Sequence, residues 1–95
     1  MSMYICIVAN ALGRYIEHVS SNNDYEESYT KSLRTLHERI VNDETDEYEW
    51  ENVLADHEAR KYVYDAMMYW EKQGFEGVES IMKRGIMRSM IGELR

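Results

Sequence analysis

Proline is missing altogether from the 95 residues, and glycine occurs only five times, so the chain holds few breakers of regular structure. Cysteine occurs once. Cys6 therefore has no partner for an internal disulfide, and a lone thiol suits a reducing compartment, so the expected location is the cytoplasm. Long apolar runs are missing too: the longest, Met3 to Ala9, is far short of the ~20 residues a membrane helix needs. The first positive side chain is Arg14, so no basic segment precedes that run, and neither a signal peptide nor a membrane span is expected. The length fits one domain, residues 1–95, and leaves no material for the core of a second. So short a chain buries a modest core, and self-association would add to its stability.

Positive charge is scarce, and what there is lies unevenly. The net charge is −7. Residues 1–21 are neutral, with Arg14 against Glu17. Residues 22–58 hold twelve acids against Lys31, Arg34 and Arg39, a net −9, and residues 59–95 are +2. Such asymmetry bears on partners and encounter rates rather than on fold.

Apolar residues recur at helical spacing, and the expected fold is all-α, a small four-helix bundle-like domain whose third helix is either continuous or broken. Tyr4, Ile5, Val8, Ala11, Leu12, Tyr15, Ile16 and Val19 share one side of a helical wheel, and Asn10, Arg14, Glu17 and His18 the other. A strand from Met3 to Ala9 is the competing reading, because Tyr, Ile, Cys and Val favour strands. Asp24 is the expected cap of a second helix with the stripe Tyr25, Tyr29, Leu33, Leu36 and Ile40. Thr45 or Asp46 is the expected cap of a third, running to Gln73 with Gly74 as its stop. That third helix is apolar on two sides, one through Tyr48, Ala55, Ala59, Tyr62, Val63, Ala66 and Trp70, the other through Trp50, Val53, Leu54, Tyr64 and Met68. Either the second side faces a partner or the helix breaks near Asp56. After Gly74 a last helix places Phe75, Val78, Met82, Ile86 and Met90 on one side, with Lys83, Arg84, Arg88 and Arg95 over much of the rest.

Catalytic patterns are absent. A metal site on helices needs ligands one turn apart, and no Glu-x-x-His pair or His-Glu-x-x-His motif occurs around His18, His37 or His57. Cys6 sits among Ile5, Ile7 and Val8, which suggests a buried or half-buried, inert thiol. No glycine-rich loop with a lysine cradles phosphate. The chain is read as a non-enzyme without metal or cofactor. The helix–Gly–helix around Gly74 is superficially similar to a helix-turn-helix, so a small DNA-binding regulator is one reading, but the acidic middle would repel a nucleic-acid backbone.

The candidate partner-binding segment is Asp43, Glu44, Asp46, Glu47, Tyr48, Glu49, Trp50 and Glu51. Carboxylates interleaved with aromatic rings copy the charge and stacking faces of a nucleic acid, and aromatic anchors concentrate interface energy. Tyr64, Met68 and Tyr69 lie outside the main stripes and are expected exposed, as a candidate oligomer interface. In composition, though not in motif, the chain is similar to the small acidic helical proteins with which phages block host nucleases, restriction enzymes or CRISPR complexes. The leading expectation is an inhibitor of that type, in the host cytoplasm, directed at a nucleic-acid-handling protein. The alternative is a homo-oligomeric helical module with a structural, regulatory or ligand-sequestering role.

Overall fold

Ser2 begins the first helix: its hydroxyl accepts from the Ile5 amide at 3.2 Å, satisfying one of the donors a helix start leaves free. In the computed structural model, which describes residues 2–45 and 47–95, helix α1 then runs Met3–Ser20. The strand reading of Met3–Ala9 gives way to helix, because Ile5, Val8, Ala11, Leu12, Tyr15 and Val19 are buried on one face that no strand of seven residues would complete. Cys6, expected buried, is exposed: it lies a hundred degrees round the helix from Ile5 and so points away from the core.

Helix α2, Glu27–Val41, buries Leu33, Leu36 and Ile40 against α1. It starts three residues beyond Asp24. The Asn22 side chain accepts from the Asp24 amide at 3.0 Å, a local turn that holds Asp24 outside the helix, and the capping position falls to Glu26 with no side-chain bond.

The third helix is broken, at the point where its two apolar stripes conflict. Helix α3 spans Trp50–Ala55 and helix α4 His57–Lys72. Asp56 between them is extended, with φ −93° and ψ 111°, and its carboxylate accepts from the amides of Glu58 and Ala59. One non-helical residue turns the following segment relative to the preceding one, so Trp50 and Val53 reach the core from α3 while Ala59, Val63, Ala66, Met67 and Trp70 reach it from α4. The Ala59 amide first, then the Arg39 guanidinium, hold the Asp56 carboxyl below its ordinary range.

After α4 the chain does not resume a helix at once. Gly74 and Gly77 take φ +70° and +87°, and Phe75 takes φ 54°, a left-handed conformation costly for a side-chain-bearing residue. Phe75 is fully buried edge-on to Trp70, whose indole N–H donates to the Glu76 carbonyl at 2.9 Å. Gly77 leaves room for the Arg14 guanidinium, which stacks over Trp70; a Cβ there would stand 2.8 Å from it. Helix α5, Ile81–Leu94, starts only at the Ser80 cap. Phe75 and Val78 are therefore core residues of a turn, and the delayed start puts Met82 in solvent rather than on the core side expected for it. Met87, Met90, Ile91 and Leu94 carry the α5 face of the core.

All five helices contribute to one contiguous apolar cluster. Helix α4 packs on α1, α3 and α5, and α1 packs on both α2 and α4. Among the described residues no strand is present, and no helix is long and apolar enough to cross a membrane.

Where α1, α2 and α4 meet, a polar chain replaces apolar contact. The Tyr29 hydroxyl donates to Asp65 at 2.6 Å and lies 2.9 Å from the Tyr15 hydroxyl, which then donates to it. Burial is the main reason that both phenols ionise above the ordinary value of 10.0. The unfolded chain loses these protons at lower pH than the folded one, so their stabilisation is complete below pH 10.0 and declines as pH rises further. In thermal melts across a pH series, the midpoint should fall above pH 10.0 in the wild type and fall less in Tyr29→Phe. Equal slopes in the two proteins would remove these tyrosines as the cause.

Candidate partner-binding surface

The acidic stretch that connects α2 to α3 is tied down at each of its described turns. Asp43 closes the loop on itself: one carboxylate oxygen accepts from the Tyr48 amide at 2.8 Å and the other from the Thr45 hydroxyl at 2.9 Å. Those bonds, the Tyr48 amide foremost, hold its carboxyl below the ordinary range. Tyr48 is clamped from α2. The Arg39 guanidinium lies over its ring at 4.9 Å, donates to its hydroxyl at 3.0 Å and reaches Asp56 at 3.4 Å. Glu49 and Asn52 form a reciprocal capping box on α3, with the Glu49 amide donating to the Asn52 side chain at 2.7 Å.

These bonds divide the eight residues expected to meet a partner. Glu44, Glu47 and Glu51 are exposed. Asp43, Tyr48 and Glu49 are half-buried and engaged in the loop, its clamp and the helix cap. Asp46 lies outside the described residues. Trp50 is no surface anchor: it is 8% exposed, stacks on Tyr4 at 6.2 Å between ring centres, and donates its indole N–H to Glu93 at 2.8 Å. The Asp56 break explains this placement, since it turns the Trp50–Val53 face of α3 inward. Thr45 does not cap the helix, Glu49 does, and the alternative cap, Asp46, lies outside the described residues.

Tyr64, Met68 and Tyr69, expected exposed, are half-buried and packed against the core. Tyr69 stacks on His18 at 4.5 Å and meets Tyr15 at 5.5 Å. With Tyr25, Tyr29 and Tyr62 these rings form one aromatic cluster over the α1–α2–α4 junction. The tyrosines in excess of core needs thus cover its edge and leave their hydroxyls for polar contact.

Charge is the unspent quantity. Among the described residues the one ion pair is Arg39–Asp56, and both side chains are too exposed for it to contribute much. Glu44, Glu47 and Glu51 therefore stand without an ion-pair partner among the described residues, on a segment tied by the bonds of Asp43, the Arg39 contacts and the capping box. The cations of α5 are partly committed inside the molecule: Arg84 donates to the Val78 carbonyl at 2.6 Å, and Arg88 lies over the Phe75 ring. Arg60 turns to the end of α5 and donates to the carbonyls of Glu93, Leu94 and Arg95. Among the described residues no three His, Cys, Asp or Glu side chains are grouped as metal ligands.

No family model, curated protein or solved structure matches the chain.

Sequence reasoning missed the Arg39 clamp. Arg39 stands nine residues before Tyr48 and seventeen before Asp56, spacings that carry no local signal and become contacts only when α2 lies beside the α3–α4 junction. It also missed Ile81 as the most exposed large apolar residue, since that depends on where α5 starts.

Two substitutions separate structural from surface roles. Trp50→Ala should lower unfolding free energy by roughly 3–5 kcal/mol through cavity formation, whereas Glu47→Ala should change it by less than about 0.5 kcal/mol, both read from urea denaturation. Near-equal effects would mean that Trp50 is not packed as described. Asp43→Ala should speed hydrogen exchange at the Tyr48 amide by at least about tenfold with the helices intact, which exchange measured residue by residue by NMR checks directly.

Proposed function

We propose that this protein is a non-enzymatic, acidic interaction protein that occupies the basic nucleic-acid-binding groove of a partner protein. The inhibitors that phages direct against nucleases, restriction enzymes or CRISPR complexes are the class it matches in composition. The observation that carries the reading is the set of exposed carboxylates Glu44, Glu47 and Glu51 on a pinned loop with no neutralising ion pair among the described residues. A nucleic-acid-binding groove is lined with cations spaced for phosphates. A rigid array of carboxylates meets it without the ordering cost that a mobile acidic tail would incur. Carboxylates, and not aromatic stacking, supply this recognition, because Trp50 is buried and Arg39 covers one face of Tyr48.

Attraction of this kind acts chiefly on encounter, so it weakens as salt rises. The test is capture from cell lysate at low salt by the wild type and by Glu44→Lys/Glu47→Lys/Glu51→Lys, with bound proteins identified by mass spectrometry and released in salt steps. The expected result is a nucleic-acid-binding protein that the wild type displaces from its nucleic acid, and an association rate at least about tenfold lower for the reversed variant. Partners that bind no nucleic acid, or undiminished binding by the reversed variant, would overturn the proposal.

A further inference from the structure

One side of α4 gathers basic side chains in a chain that is otherwise acidic. His57, Arg60, Lys61 and Tyr64 stand about one helical turn apart and so share a face. With Leu94 and Arg95 from the end of α5 they line a cleft of about 400 Å³, within the roughly 300–1,000 Å³ of small-molecule sites. No acidic side chain is among its described lining residues, although the net charge of the chain is −7. The nearby acids of α4 and α5 are engaged elsewhere. Asp56 accepts from the amides of Glu58 and Ala59 and reaches Arg39. Glu58 lines the separate groove between α2 and α4. Asp65 takes the Tyr29 hydroxyl, and Glu93 the Trp50 indole N–H.

Arg60 is fixed across the end of α5. Its Nε donates to the Leu94 carbonyl at 3.1 Å, and its Nη2 to those of Glu93 and Arg95 at 3.0 and 2.9 Å. The carbonyl end of α5, which would repel an anion, is thereby covered by a cation, and Nη1 has no hydrogen bond among the described residues. Lys61 and Arg95 are exposed and have no ion-pair partner among the described residues. His57, also exposed, can donate a hydrogen bond in either protonation state. Tyr64 completes the wall and differs from the other tyrosines. Each of those lies against another ring or, for Tyr48, beneath the Arg39 guanidinium. Among the described residues Tyr64 has neither, so the one half-buried ring in the basic cleft is without a stacking neighbour.

We propose that this cleft binds a nucleoside phosphate. Lys61, Arg95 and Nη1 of Arg60 take the phosphate, with His57 as a further donor, and the base stacks on Tyr64 beside Leu94. Cations alone would accept any small anion; an unpartnered ring next to them selects an anion that carries a flat aromatic group. A free nucleotide and the phosphorylated end of a nucleic-acid strand share this chemistry. The site uses none of Glu44, Glu47 and Glu51, so it stands or falls independently of the partner surface.

NMR titration of the backbone amides of the full chain at fixed ionic strength tests it. The probes are adenosine 5′-monophosphate, inorganic phosphate, and a short single-stranded oligonucleotide with a 5′-phosphate. Shifts on adding adenosine 5′-monophosphate should be confined to the start of α4 and the end of α5. That nucleotide should bind roughly fivefold or more tightly than inorganic phosphate, the contribution of one base stacked on an aromatic ring. Lys61→Gln/Arg95→Gln, with both positions exposed and circular dichroism expected to match the wild type, should raise its dissociation constant at least about tenfold. Tyr64→Leu should weaken the nucleotide by roughly fivefold or more and leave inorganic phosphate unchanged. An oligonucleotide that binds more tightly than the nucleotide supports the site as one for a strand end, and one that binds more weakly supports it as one for the free nucleotide. Absence of shifts at millimolar nucleotide overturns the proposal. So do shifts undiminished in the Lys61 and Arg95 double variant, or equal affinity for nucleotide and inorganic phosphate.

Discussion

Asp56 is the residue on which the arrangement of the chain turns. A single extended residue ends α3, its carboxylate caps α4, and the same carboxylate receives the Arg39 guanidinium from α2. Without the break, a continuous helix from Trp50 to Lys72 would carry apolar side chains on two faces and bury only one. With it, α3 presents Trp50 and Val53 to the core and α4 presents a separate face that packs on α1 and α5. The cost is one interrupted stretch of helical hydrogen bonding, offset by the Asp56 cap and by removal of two indole-sized faces from water.

The acidic loop inherits its shape from the same point. Arg39 contacts Tyr48 and Asp56 together, so the loop is held between the end of α2 and the α3–α4 junction. Its other bonds are local: Asp43 to Tyr48 and Thr45, and Glu49 to Asn52. The exposed glutamates follow from this, because the side chains able to make internal bonds have made them and those left over face water. On one molecule the charged surface and the apolar start of α5 have different physics. The first acts at a distance and is screened by salt; the second acts on contact.

Much of the fold was legible because helical periodicity records burial. The stripes through Leu33, Leu36 and Ile40, and through Val63, Ala66 and Trp70, are buried as read. The conflict between the two apolar faces after Trp50 was legible too, and it marked the place where the helix breaks. Less legible was anything that depends on a helix end. Asp24 and Thr45 have good capping side chains, yet Glu26 and Glu49 hold the capping positions, since a cap is chosen by where the preceding turn delivers the chain. For the candidate surface, composition located the charge but not the orientation of rings: Trp50 looked like an anchor by its neighbours and is a core residue by its packing.

The sequence by itself determined that the protein is helical, that its charge is concentrated in the middle, and which stripes could form a core. These are properties of residue type and spacing, and they hold for any arrangement of the helices. Tertiary structure decided which of two apolar faces points inward, which carboxylates remain free, and which apolar residues stay in solvent. Each of those turns on contacts between distant residues, Arg39 with Asp56, Trp50 with Glu93, Tyr29 with Asp65. Their partners are neighbours only once the helices have packed.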